Sequence, residues 1–536
     1  MPGSGAWHGG AFVSATHPSV AVVDAATAAA CDAAAIASGI PSRALMQRAG
    51  AAVAAELVLR FGDVTERGVV VATGPGNNGG DGWVVAHALH AAGVKVRVVE
   101  CVAARTPDAI AERDVAIAAG VIATDQLDAL LAGGEEVVID ALLGTGFTAD
   151  GELRGEVKLA VDRLGELANR GAMIVALDVP TGLDASSGQM VGSLRAALTI
   201  TFGTVKRGQL VARGVCGEIV AVDIGLGTHA RSAASAMQLA SATWFHHSLP
   251  RIAADAHKGT RAKIAIVGGA PGMAGASVLA ARAALRSGAG LVRCVVAPAS
   301  LQAVQEAEPA ALGAVWPTDD PGLDAIADWA DVLLIGPGLG KQGARAMVER
   351  LLGVFQGPVV LDADALNAYA RDLPALARVI GKRAALLTPH PAEFGRLVGL
   401  DVASVLADRF DLPHKLAEDV GAAVLLKGVP TIVAAASGTV HVVAEGTPVL
   451  ATGGAGDILG GIAATLLAHT SGDAALAGAL AAFAHGRAAA AVSAHQVRGY
   501  TLDDVLASLP SVWSLPSDVA RPPILAELPR VGEETA

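Results

Sequence analysis

Val69-Val70-Val71-Ala72-Thr73-Gly74-Pro75-Gly76-Asn77-Asn78-Gly79-Gly80-Asp81-Gly82 runs from a β-branched stretch through a glycine-laced bend into a helical pattern. Valines in series suit a strand buried on both faces. Five glycines in the last nine residues let the backbone approach a ligand closely, and the helix start behind them offers free N–H groups. Strand, glycine turn and helix in this order mark one unit of a parallel sheet.

The same unit recurs on either side. Lys95–Val99 is a strand, Val137–Ile139 is a strand ending at Asp140, Ile174–Leu177 ends at Asp178, and Ala197–Phe202 ends at Gly203 with Lys206 beyond. Helical patterns at Ala21–Ser38 and Arg43–Phe61 precede them. A second series follows: Lys263–Val267 enters Gly268-Gly269, then come Leu291–Val296 and Val332–Ile335, which enters Gly336-Pro337-Gly338. Val359–Leu361 enters Asp362, Leu386-Leu387 enters Thr388-Pro389-His390, and Val424–Leu426 enters Lys427-Gly428. Thr431–Ala435 and Thr439–Val443, joined through Ser437-Gly438, read as a hairpin. The fold class is therefore α/β, with two doubly wound domains, the first a Rossmann-like three-layer sandwich. The expected division is a disordered extension over 1–20, a first domain over 21–230, a second over 238–512 and a disordered tail over 515–536. Small polar residues from Gly227 to Ala236 form the linker between them.

Bulk properties limit the partners. A chain of 536 residues is too long for one core, and 52% hydrophobic against 17% charged residues supplies large buried sheets. A net charge of −12 and an aromatic content of 3% argue against a nucleic-acid binder. Cys31, Cys101, Cys216 and Cys294 stand far apart without metal-type pairing, which fits a reducing cytoplasm. Met1 to Val20 lacks the features of a signal peptide. The most apolar window, Ala474–Ala494, contains His485 and Arg487 and reads as a buried alanine-rich helix, so no membrane partner is expected.

The chemistry lies at the strand ends, where ligands sit in open α/β sheets. In the first half the glycine loop is joined by Asp140-Ala141-Leu142-Leu143-Gly144-Thr145-Gly146-Phe147 and by Asp178-Val179-Pro180-Thr181-Gly182-Leu183-Asp184. A lone strand-end aspartate is usually a helix cap, but several on one sheet can converge on a crevice. Gly74, Gly76 and Gly79 also satisfy a dinucleotide fingerprint, with Glu100 at the distance of a ribose ligand, and that leaves a dehydrogenase open. That fingerprint has no use for Asn77, Asn78 and Asp81. In the second half, Thr452-Gly453-Gly454-Ala455-Gly456-Asp457 opens a helix whose amides can form an anion hole beside a carboxylate.

Together the first-half segments resemble the NAD(P)H-hydrate epimerase family across about residues 21–230. The resemblance implies that Asn77, Asn78, Gly79, Gly80 and Asp81, with Gly144, Thr145, Gly146, Phe147, Thr148, Ala149 and Asp150, hold a hydrated dinucleotide, and that Asp178 is catalytic. It also implies potassium ligation by Asn78, Asp140 and Thr181, the last standing where many relatives carry serine. The second half is similar to the ADP-dependent NAD(P)H-hydrate dehydratases, a branch of the ribokinase-like superfamily, over about residues 238–512. That match rests on His257-Lys258-Gly259, the Gly268 and Gly336 loops, Asp362 to Asn367, Thr388 to Glu393 and Lys427 to Thr431, besides Asp457. It implies a ribokinase-like three-layer sandwich in which Ala276, Gly338, His390 and the catalytic Asp457 contact the hydrate. Lys427, Gly428, Val429, Pro430, Thr431 and Gly456 would contact the nucleotide, ADP with ATP as the alternative, accompanied by magnesium. Ala455 replaces the serine or threonine common in relatives.

The expectation is thus a repair enzyme for the hydrates NADHX and NADPHX, a lyase and isomerase in one chain, working as a homo-oligomer. Its leading rival is a small-molecule kinase fused to a nucleotide-binding domain, which a stable phosphorylated product would reveal. A catalytically idle dinucleotide sensor is a second rival, weakened by the intact Asp178 and Asp457.

Overall fold

The structure is a computed structural model and describes residues 20–65, 67–192, 194–232, 237–494, 498–514, 521 and 523–530. In the first half the strands are β1 (Ala21–Val23), β2 (Val69–Thr73), β3 (Val96–Glu100), β4 (Ile122–Thr124) and β5 (Val137–Ala141). They continue with β6 (Met173–Leu177), β7 (Leu198–Phe202), β8 (Thr204–Lys206) and β9 (Glu218–Val222). The second half begins with β10 (Met237–Leu239), β11 (Lys263–Val267), β12 (Leu291–Val296), β13 (Leu312–Val315) and β14 (Val332–Ile335). Next come β15 (Val359–Leu361), β16 (Ala385–Leu387), β17 (Ala423–Leu426), β18 (Thr431–Ala434), β19 (Val440–Val443) and β20 (Ile524–Leu528).

Alternation along the central strands builds both sandwiches. On β2, Val69 and Val71 enter one apolar cluster while Val70 and Ala72 enter another on the opposite face. On β11, Ile264 and Ile266 face one helix layer and Ala265 and Val267 the other. Each sheet is therefore covered on both faces, as its near-continuous apolar strands require. The alanine-rich helix Ala474–Ser493 lies in the second core, where Phe483 stacks on Phe245 with ring centroids 4.6 Å apart.

Two expectations about the domain limits change. The first sheet has the order β20-β9-β7-β6-β5-β2-β3-β4, so the segment expected to be a disordered tail contributes an edge strand. β20 pairs antiparallel with β9, and Ala526 and Leu528 are buried. Its five residues are interrupted by a register shift between Ile524 and Ala526, so no clean alternation stands out from the prolines and charges around it. Residues 515–520, 522 and 531–536 lie outside the described part, as do 1–19 of the expected N-terminal extension and 233–236 of the linker.

The second sheet has the order β13-β12-β11-β14-β15-β16-β17-β18-β19-β10-β1-β8, so two strands from the first half close it. β10 pairs parallel with β19 and antiparallel with β1, and β1 pairs parallel with β8. Behind this seam Val22, Val205, Leu239, Phe410, Ile432, Val442 and Leu528 share one apolar cluster. Short, isolated strands of three residues carry little periodicity, which is why the sequence suggested separate domains. The expected hairpin is the antiparallel β18–β19 pair.

Candidate functional sites

The first glycine loop is tight because other backbone fills its space. A Cβ on Gly74 would lie 1.9 Å from the Leu142 carbonyl oxygen, and one on Gly79 would lie 2.0 Å from that of Gly74. Only glycine permits this crossing of the β2 and β5 loops, which brings Asn77, Asn78 and Gly144–Phe147 together. With Asp81, Asp178 and Lys206 they line a cavity of about 600 Å³. Gly79 and Gly80 are buried in the packing beneath it. Thr148, Ala149 and Asp150 are not part of its wall; Ala149 donates its N–H to Asp184 at 3.2 Å, and Asp184 caps the turn through Ser186 and Ser187.

Asp178 adopts φ +61°, the left-handed region that a non-glycine residue enters at a cost of about 1–3 kcal/mol. Its neighbours hold it there: its N–H donates to the Ile200 carbonyl at 2.8 Å, and Gln209 Nε2 donates to its own carbonyl at 2.7 Å. The carboxylate Oδ1 accepts from Lys206 Nζ at 2.5 Å, Thr201 Oγ1 at 3.1 Å and Phe202 N at 3.3 Å. Lys206 is 2% exposed and Asp178 13%, so the pair is shielded but still borders the cavity. Burial, followed by the Asp178 and Asp32 charges, pushes the Asp81 carboxyl well up, with Lys206 acting against the rise.

Asn78, in the cavity wall, is linked to Asp140 and Thr181 through the Leu143 peptide, whose N–H donates to Thr181 Oγ1 at 3.1 Å. Asp140 Oδ1 accepts from Thr181 Oγ1 at 2.7 Å, its Oδ2 accepts from Thr181 N at 2.8 Å, and Asn78 Nδ2 donates to the Leu143 carbonyl at 3.0 Å. Asp140 is fully buried, and burial raises its pKa against the hydrogen bonds from Thr181 and Leu142. Asn78 Oδ1 is buried without a hydrogen-bond partner. An orphaned amide oxygen beside a buried carboxylate and a hydroxyl is an all-oxygen set that fits a hard cation.

In the second half, Asp362 at the end of β15 is 1% exposed and accepts from Lys427 Nζ at 2.7 Å and Thr388 Oγ1 at 2.8 Å. Lys427, at the end of β17, takes the Pro389 carbonyl at 3.0 Å through its N–H, which ties the Thr388–His390 loop to the Lys427–Thr431 loop. Asp457 stands in the first turn of the helix Ala455–His469, entered through Gly454 at φ +98°. Burial pushes its carboxyl up to about 7, Asp362 and Glu393 add to the rise, and Lys427 opposes it. A Cβ on Gly456 would sit 3.1 Å from Lys427 Nζ, which brings that glycine against the ion pair. Gly338, at φ +58°, packs against Ala276, where a Cβ would come within 3.1 Å of the alanine's own. His390 caps the helix Pro391–Val398, its Nδ1 accepting from Ala392 N at 3.1 Å, and borders a separate cavity of about 480 Å³ with Glu393 and Asp364. Thr431 Oγ1 donates to the Gly428 carbonyl at 2.7 Å and closes the Lys427–Thr431 loop.

Three participants carried no role in the sequence reading. Asp362 lies inside the Asp362–Asn367 motif and Lys206 follows Gly203; they are the ion-pair partners of Lys427 and Asp178. Asp32 lies on an alanine-rich helix with no motif around it, yet it lines the first cavity.

Known proteins resemble each half of the chain. The family model described as YjeF-related protein N-terminus matches residues 42–208, and the one described as NAD(P)H-hydrate dehydratase matches 264–511. The bifunctional NAD(P)H-hydrate repair enzyme Nnr of Moorella thermoacetica is 37% identical over 84% of this chain and 88% of its own length. That of Salinibacter ruber is 37% identical over 88% of this chain and 92% of its own, and that of Escherichia coli 34% over 88% and 89%.

Proposed function

The chain belongs to the family of bifunctional NAD(P)H-hydrate repair enzymes and repairs hydrated NADH and NADPH, and from that premise we propose how its two sites divide the work. The observation that supports the division is the same in each half: a lysine–aspartate ion pair at strand ends beside a glycine-rich turn, Lys206–Asp178 in one and Lys427–Asp362 in the other.

The first site epimerises the hydrate. The C6 hydroxyl lies next to the ring nitrogen, whose lone pair expels it; water then returns to either face. Asp178, ion-paired with Lys206, takes the proton of the incoming water, a contribution of about 10²–10⁴-fold. Asn77, Asp81 and Gly144–Phe147 position the dinucleotide along the cavity wall. Asn78 Oδ1, Asp140 and Thr181 would hold potassium, whose charge would offset that of the buried Asp140 carboxylate.

The second site dehydrates the S epimer. Asp457, whose carboxyl is held near neutrality, accepts a proton from the C6 hydroxyl, while Lys427 and the amides at the start of the helix Ala455–His469 face the nucleotide phosphates. ADP would transfer its terminal phosphoryl group to the C6 oxygen and leave as AMP; phosphate, a better leaving group than hydroxide, would then depart as the C5 proton is lost to solvent, restoring the ring double bond, with magnesium accompanying the nucleotide. Because that anion hole is backbone, Ala455 in place of a hydroxyl residue leaves it intact. Free, buried Cys31, Cys101, Cys216 and Cys294 support a reducing cytoplasm, and sedimentation tests the proposed homo-oligomer.

The experiment is direct. Mixed hydrate epimers are incubated with the protein, with and without ADP or ATP and magnesium, and the reduced cofactor is followed by absorbance. Full recovery requires both halves; Asp178→Asn leaves the R epimer behind, and Asp457→Asn leaves both. Full recovery by the Asp457→Asn protein would end the assignment.

A further inference from the structure

The epimerase cavity contains a second acid that no strand-end motif announces. Asp32 belongs to the helix Ala25–Ala37 and lines the same cavity as Asp178 and Lys206. The fold puts it there by register: β1 leads into this helix, and Val23 at its end lies opposite Lys206 of β8. Asp24 caps the helix by accepting from Thr27 N at 2.7 Å, and Ala25 N donates to Ser186 Oγ at 3.0 Å. The helix start is thus fixed to the turn that follows Asp178, and Asp32 is presented from a different wall than the strand-end carboxylate.

Inverting the C6 centre needs two acid–base groups. When the hydroxyl leaves one face, something must protonate it, because hydroxide is a poor leaving group. When water enters the opposite face, something else must take its proton. One carboxylate on one side of the ring cannot do both. We propose that Asp32 is the second acid–base catalyst of the epimerase site, serving the ring face opposite Asp178.

The step balances without any co-reactant. The C6–O bond breaks with its electron pair going to oxygen, which takes the Asp32 proton and departs as water, while the ring nitrogen lone pair forms a C=N bond. A water on the other face then bonds to C6, its proton passes to Asp178, and the C=N pair returns to nitrogen. The reverse reaction exchanges the two roles, and solvent restores the starting protonation.

The surroundings suit an acid that must release and recover a proton. Asp32 is open to the cavity, and the atoms packed around it desolvate its carboxyl and raise it to about 6, Lys206 opposing and Asp178 adding to the rise. Asp81 on the helix Asn77–Ala91 is the other carboxylate coupled to it, and Cys31 precedes it on its own helix. Across the cavity, Asp108 is engaged by Ser42 Oγ at 2.6 Å. Two carboxyls of one cavity in different surroundings, Asp178 ion-paired with Lys206 and Asp32 raised to about 6, are how an acid and a base are set apart.

The proposal rests on the reading of Asp178 as a proton acceptor, so the two are tested side by side. Purified full-length protein is given the R hydrate without nucleotide, and formation of the S form is followed by chromatography across pH 5–9. Asp32→Asn is expected to lower kcat for interconversion by about 10²-fold with little change in KM, and to remove the rate dependence near pH 6. Asp32→Glu should restore most of the rate, and nucleotide-dependent loss of the S hydrate by the same preparations reports that the chain is folded. An Asp32→Asn protein with normal rate and pH profile, beside an inactive Asp178→Asn protein, would overturn the role of Asp32 alone. A fully active Asp178→Asn protein would overturn the parent reading and this one with it.

Discussion

Arg207 forks onto Asp411, with Nη1–Oδ2 and Nη2–Oδ1 at 3.1 and 3.3 Å, and so joins the residue after Lys206 to the second half of the chain. Its guanidinium also lies 5.2 Å from the ring centre of Phe410. Asp411 is 60% exposed, which keeps this ion pair in water's reach. Arg207→Ala should therefore cost under about 1 kcal/mol. Ile432→Ala, in the apolar seam, should cost about 2–5 kcal/mol. Chemical denaturation of the two variants checks the ranking, and a larger loss for Arg207→Ala would show that charge rather than the seam holds the halves together.

Lys206→Met removes the ammonium from Asp178 while keeping a buried side chain of similar length. Epimerisation should fall by about 10²-fold and ADP-dependent dehydration of the S hydrate should persist, because the second site has its own ion pair. Separate assays of each epimer read the two outcomes from one preparation.

The dehydratase should lose activity as pH falls. In the proposed role Asp457 acts unprotonated, and burial pushes its carboxyl up to about 7, so kcat/KM should be level above that pH and drop tenfold per unit below it. Asp362→Asn removes a negative neighbour and should move this limb to lower pH. Since burial disfavours the charged form, Asp457→Asn should also melt higher than the parent at pH 8, where the parent must keep an unfavourable charge. An unmoved limb in Asp362→Asn would place the titration on another group.

Potassium should stabilise the first half. Asn78 Oδ1 is an unpartnered buried oxygen, so filling the site should raise the melting midpoint in KCl over matched NaCl. Thr181→Val deletes one ligand and should abolish the difference. Equal midpoints for the parent protein in both salts would argue against the cation.

Much of both sites was legible because strand-end aspartates and glycine crossings are local. The β2–Gly74 and β15–Asp362 boundaries follow from where β-branched runs stop. The fingerprint formed by Gly74, Gly76 and Gly79 was the misleading signal. Glu100, its expected ribose ligand, is held by Arg113 at 3.0 Å and by Ala104 N at 3.1 Å instead. What could not be read was pairing at a distance. Asp32 and Lys206 become neighbours only through the β1–β8 register, and three-residue strands leave no period from which that register could be inferred.

The last paired strand also sets an order of events during synthesis. β9 has β7 on one side, and its other partner, Ile524–Leu528, leaves the ribosome only after the entire second half. Until then the early sheet keeps an unpaired edge, the kind of surface on which nascent chains adhere to one another. The half made first is thus completed last, and a stalled or shortened transcript would yield a finished-looking dehydratase beside an unsealed epimerase.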